Sequence, residues 1–170
     1  ESILDVYHEV NCEHTWEIQT IKDFVAMQSK IVYKVISAEK NEIFLQTVPA
    51  IYYLDLAIVF YILFEINDSG TATIPITNEL MSLWGANARE LYDIAKKNSP
   101  LLLPATLKPM NVVIEELLGN KCESCILDDD TMFVLTNQLH NFGAACILYG
   151  DILEQINGQL DENYYILPSS

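Results

Sequence analysis

Cys122 and Cys125 form the only pair in this chain whose spacing carries a chemical mechanism. A gap of two residues lets both thiolates reach one tetrahedral zinc ion. One such pair supplies half of the ligands. Cys12 and His14 could supply the rest, giving three cysteines and one histidine, but no sequence pattern brings these two distant segments together. A redox pair is a second alternative. It is disfavoured because the cysteines follow a helical segment and do not open one, so no helix N-terminus is placed to lower a thiolate pKa. We read the pair as a loop with two free thiols and assign no cofactor, with zinc as the alternative. Cys146 sits among Ala, Ile and Leu and reads as a small core residue.

The other chemistry-bearing residues are dispersed. His8, His14 and His140 stand alone in sequence, none beside a serine, cysteine or paired carboxylate of a triad. His140 falls in a turn between a predicted strand and a predicted helix, where functional groups often sit. With Asn137 from the same turn and Asp55 from an apolar strand, it makes the candidate catalytic set. For Asp55 the plainer reading is a strand-end residue with a hydrogen-bond partner. Asp128, Asp129 and Asp130 could attract a hard cation, yet they lack the alternating ligands, the glycine and the distal glutamate of a calcium loop. We read them as a solvated charge run. Six glycines are spread singly, so no phosphate loop is present, and no Gly-x-Ser-x-Gly occurs. Gly143 opens the last predicted helix, but one glycine is not an anion-binding fingerprint.

Charge narrows the partners. Nine Lys and Arg face 24 Asp and Glu, a net charge of −15, and residues 101–170 hold only Lys108 and Lys121 as cations. Nucleic-acid binding draws its affinity from clustered cations that neutralise phosphates, so this field argues against it. An anionic membrane surface is repelled for the same reason. The longest apolar run, Leu56 to Phe64, would span about 14 Å as a helix against a hydrocarbon core of about 30 Å. Its β-branched and aromatic content predicts a buried strand instead. No basic region precedes an apolar stretch at the start, so no signal peptide is visible. Four unevenly spaced cysteines do not make a disulfide framework, and we expect a reducing cytoplasm. The sequon Asn67-Asp68-Ser69 reads as the polar tip of a hairpin.

These residues must be positioned by elements the pattern makes visible. With 51% hydrophobic residues the 170-residue chain can bury a sizeable core, and we expect one domain over 1–170. Residues 1–15 read as a remnant helix and linker. Ile21, Phe24 and Val25 have helical spacing, and Ile31 to Ile36 favours a strand. Ser37 can cap a short helix ending before Pro49. A long strand from Tyr52 to Ile66, a turn at 67–70 and a strand from Thr71 to Ile76 predict a hairpin. Asn78 to Leu83 predicts a helix closed by Gly85, and Asn87 with Glu90 a capped helix ended by Pro100. Residues 101–109 read as an apolar connection. Met110, Val113, Ile114, Leu117 and Leu118 form an amphipathic stripe. After it come a strand at 131–137, a helix with one face of Ala145, Leu148, Tyr149, Ile152, Leu153, Ile156 and Leu160, and a closing strand at 164–170. The expected class is α+β, with a mostly antiparallel sheet of about five strands and helices packed on one face.

The segments KIVYKVISAEKNEIFLQTVPAIYYLDLAIVFY, LMSLWGANARELYDIAKKNSPLLLPATLKPM, MFVLTN and FGAACILYG, in that order, resemble a family of proteins from anaerobic gut bacteria characterised only as a domain of unknown function. The resemblance covers roughly residues 20–170 and implies a bacterial cytoplasmic α+β domain. It brings no activity, substrate or site residues. In similar proteins the LPSS segment runs on into a further apolar strand, so the last strand is expected to be truncated here.

Two functions follow as expectations. The first is a non-catalytic interaction or regulatory domain that presents a surface to a protein or small ligand, motivated by a well-patterned core without convergent polar residues. The second is an enzyme of unknown class, a hydrolase for example, with a site assembled around the 137–143 turn. Neither strand order nor oligomeric state is encoded in patterns of this kind.

Overall fold

The computed structural model describes residues 20–67, 70–118, 132–137, 141–160 and 163–167. The remnant helix expected before Asn11 lies outside them. The chain divides into two compact units, Glu1–Asn98 and Ser99–Ser170.

In the first unit the side chain of Asp23 accepts hydrogen bonds from the N–H groups of Val25 (3.0 Å) and Ala26 (3.3 Å), capping the short helix α1 (Phe24–Met27). A 3₁₀ turn, Gln28–Lys30, leads into β1 (Ile31–Ser37), so helix gives way to strand where the β-branched run begins. Ser37 accepts from the N–H of Lys40 and starts a second helical segment that ends as α2 (Glu42–Leu45). Next come β2 (Ala50–Tyr53), β3 (Leu56–Asn67) and β4 (Gly70–Pro75), the last two joined as the expected hairpin.

The long strand predicted from Tyr52 is in fact two strands. Tyr53 pairs with Leu56, and the chain reverses through Leu54 and Asp55, with Leu54 at φ 54°. A two-residue hairpin turn asks for positive φ, which glycine and asparagine supply without strain. A leucine there costs about 1–2 kcal/mol, and its presence hid the turn.

β3 is the spine of a four-stranded antiparallel sheet. β1 runs along one edge, from Ile31 opposite Ile62 to Ser37 opposite Leu56. The other edge is shared end to end: β2 pairs with Leu56–Val59, β4 pairs from Tyr61 onward, and between them the Ile76 N–H donates to the Phe60 carbonyl at 2.9 Å. A bulge at Phe64 breaks the register with β4, and the Lys30 ammonium lies 5.3 Å from the centre of the Phe64 ring.

Directly paired residues share a face. One face carries Ala50, Ala57 and Val59, against which Phe44 and Leu45 pack. On the other, Tyr33 and Phe60 are paired and buried, and Tyr33 meets Tyr92 of the helix α4 (Ala88–Leu102) with ring centres 6.1 Å apart. Helices therefore meet both faces of this sheet, where one covered face was expected.

Thr77 caps α3 (Asn78–Leu83), and Gly85 at φ 64° closes it as its position predicts. Asn87 accepts from the Glu90 N–H at 3.0 Å and opens α4. Pro100 does not end α4. The helix continues to Leu102, and the Leu103 N–H closes it on the Ser99 carbonyl at 2.8 Å.

The second unit contains β5 (Ala105–Pro109), α5 (Met110–Leu118), β6 (Phe133–Asn137), a 3₁₀ segment Gly143–Leu148 and α6 (Ile152–Leu160). Prolines at 104 and 109 discourage a strand, and the sequence predicts a connection in the place of β5. It pairs antiparallel with β6, Ala105 opposite Asn137 and Pro109 opposite Phe133. The six described strands thus form a sheet of four and a sheet of two instead of one sheet of about five. The class, α+β with antiparallel sheets, is as expected.

The last predicted helix is also split. Tyr149 is extended (φ −73°, ψ 131°) and separates the 3₁₀ segment from α6, so the predicted continuous face is interrupted. The reason lies in its side chain: the buried Tyr149 hydroxyl donates to the Leu103 carbonyl at 2.9 Å, just past the end of α4, and lies 3.3 Å from the Ser99 carbonyl, which also accepts from the Leu103 N–H. Residues 163–167 are not in a strand, and Tyr165, Ile166 and Leu167 are exposed. No helix among the described residues is long and apolar enough to cross a membrane.

Candidate functional site

Of the residues with chemical promise, Cys12, His14, Cys122, Cys125 and His140 lie outside the described residues, as do His8 and Asp128 to Asp130. Asp55 and Asn137 are described, Asp55 in the first unit and Asn137 in the second. Asp55 is the exposed second residue of the hairpin turn, and its carbonyl accepts from the Ala38 N–H at 2.8 Å. It lies in the turn between β2 and β3 and not within the strand predicted from Tyr52.

Asn137 is the last residue of β6 and is fully buried, with 0% of its surface accessible. Its Nδ2 donates to the Asn141 carbonyl, and its Oδ1 accepts from the Asn141 N–H at 3.3 Å. One side chain thereby closes the backbone across the turn on both sides. Asn141 in turn accepts from the Phe142 N–H at 3.0 Å, and Phe142 takes a left-handed backbone, φ 62°, with its ring buried. Gly143 follows. A Cβ built there would lie 2.7 Å from Thr136 Oγ1 and 3.3 Å from Thr136 Cβ, so glycine is what lets the 3₁₀ segment approach β6. The turn that sequence singled out is therefore held by a chain of structural devices running through Asn137, Asn141, Phe142 and Gly143.

Three described groups have displaced pKa values. Glu79, in the first turn of α3, is held below the usual carboxylate range by its own backbone N–H and by the Thr77 hydroxyl. Burial pushes the Tyr61 phenol up. Burial also pushes the Cys146 thiol up, opposed more weakly by Tyr149. A raised thiol pKa keeps sulfur protonated and unreactive at neutral pH, as the core reading expects. Among the described residues no group of three or more His, Cys, Asp and Glu could hold a metal ion.

One depression in the first unit, about 310 Å³, is lined by Val25, Gln28, Ser29, Ile94, Lys97 and Asn98. It is shallow and open. Of its polar lining residues, Asn98 is committed to the fold: its Nδ2 donates to the carbonyls of Gln28 (2.7 Å) and Ile31 (3.0 Å), tying the 3₁₀ turn to α4.

What sequence reasoning missed is the tip of the β2–β3 hairpin. Tyr52, Tyr53 and Leu54 are 61%, 67% and 84% exposed, three consecutive large apolar residues in solvent. The signal is the Leu54-Asp55 dipeptide, which interrupts two runs of strand-forming residues without a glycine.

No curated protein and no solved structure matches the chain. A family model does, over residues 1–170, and the chain belongs to that family: Family of unknown function (DUF5688).

Proposed function

We propose that this member of a family of unknown function is a non-catalytic interaction or regulatory domain of the bacterial cytoplasm that offers a surface to a protein or small ligand. The observation that carries the reading is Asn137. It is the described member of the candidate catalytic turn, and both ends of its amide bind the Asn141 backbone in a fully buried setting. A catalytic amide must aim a donor or acceptor at a reacting atom. This one holds the chain that follows β6. The partner is neither nucleic acid nor an anionic membrane, on the ground of the net charge of −15. The reading includes no cofactor.

The competing reading is a hydrolase with His140 in the turn as its working group. Purified protein is expected to turn over nothing in a broad hydrolase screen. Turnover that disappears on His140→Ala while the fold is retained would establish the enzyme and end the present reading.

A further inference from the structure

Leu54 occupies a backbone conformation that glycine or asparagine adopts more easily, and its side chain is 84% exposed, so the fold gains almost no burial from it. Strain retained without structural return is the mark of a position held for another purpose. Tyr52 and Tyr53 flank it. Because strand residues alternate, the two rings stand on opposite sides of the hairpin, so the tip is apolar on its end and on both faces. Tyrosine is a residue type enriched where proteins meet.

We propose that the tip of the β2–β3 hairpin is a protein-docking surface for a partner with an apolar pocket rimmed by lysine or arginine. The proposal rests on the reading of the chain as an interaction domain and names the surface and the partner's chemistry. A tip projecting between two strands is convex and encloses no small ligand, which needs a concave site. The rim selects the charge. Asp55 is in the turn itself, and its bond to Ala38 brings the start of the next helical segment alongside, where Glu39 and Glu42 are exposed and Lys40 is the only cation. A second copy of this chain would bring the same acidic rim and an overall charge of −15, and like charges oppose that pairing.

The test is a display library of random peptides selected on the whole chain. Enriched peptides are then measured against wild type, Leu54→Gly, Leu54→Asn and Tyr53→Ser. Leu54→Asn retains a residue suited to the left-handed backbone while removing the apolar side chain. Thermal unfolding confirms that each variant is folded. The expected peptides close around the tip with two or more separated aromatic or aliphatic residues, the lining of a pocket, flanked by Lys or Arg. They should lose about tenfold or more in affinity on both Leu54 variants and bind more weakly as salt rises. Peptides with an acidic flank, no enrichment, or equal affinity for wild type and both Leu54 variants would each overturn the proposal. Peptides that bind while ignoring the tip would leave the interaction reading standing, whereas His140-dependent turnover would remove that reading itself.

Discussion

Leu54 in the first unit and Phe142 in the second share a backbone trait found in no other non-glycine residue among those described: a positive φ, 54° and 62°. Their surroundings are opposite. Phe142 is 5% exposed, its N–H is bound by Asn141, and its carbonyl accepts from the Ala145 N–H at 2.9 Å. Burial of a phenylalanine ring contributes about 1.5–3 kcal/mol, enough to offset a left-handed backbone costing about 1–2 kcal/mol. Leu54 has no such offset. A positive φ thus has a structural account at Phe142 and none at Leu54.

The comparison can be broken by substitution. The largest effect belongs to Phe142→Ala, which empties a buried site while leaving the unfavourable φ in place. A loss of about 3 kcal/mol is expected in urea unfolding, and a loss below about 1 kcal/mol would mean the ring does not offset the strain. Gly143→Ala comes next. The new methyl must displace Thr136 Oγ1, at a cost of about 1–3 kcal/mol. Adding Thr136→Ala, which removes the hydroxyl, should recover part of that loss, and a double-mutant cycle that is simply additive would refute the steric account. Leu54→Gly should change stability least. Relief of strain and the greater freedom of glycine in the unfolded chain nearly cancel, so the thermal midpoint should be unchanged or slightly raised, by no more than about 1 kcal/mol of stability. A clear drop would show that the leucine supports the fold after all.

Local chemistry was legible in this sequence, and chain reversal only where a glycine marks it. Ser37, Asn87 and Gly85 act as their types and positions predict, because a cap is decided by residues within one turn of helix. The β3–β4 hairpin was visible because glycine closes it. The β2–β3 turn was hidden by a leucine, and β5 by its two prolines, which strand pairing with β6 accommodates at 105–109. The break at Tyr149 depends on carbonyls near the end of α4, nearly fifty residues away, a contact that no periodicity contains. Of the candidate site, the turn after β6 was located by its polar residues. The role of Asn137 could not be read, because an asparagine that grips its own backbone and one that faces a substrate have the same letter.

From Leu56 to Ile62 β3 receives partners on both sides, and even the joint between β2 and β4 is closed by the Ile76 N–H. Neither β1 nor the β2 and β4 segments can leave without exposing that strand. Amide protons from Leu56 to Ile62 are therefore expected to be the last of the first unit to trade with heavy water, opening only when the whole unit comes apart. The exposed hairpin tip is thus carried on the most slowly opening part of the unit.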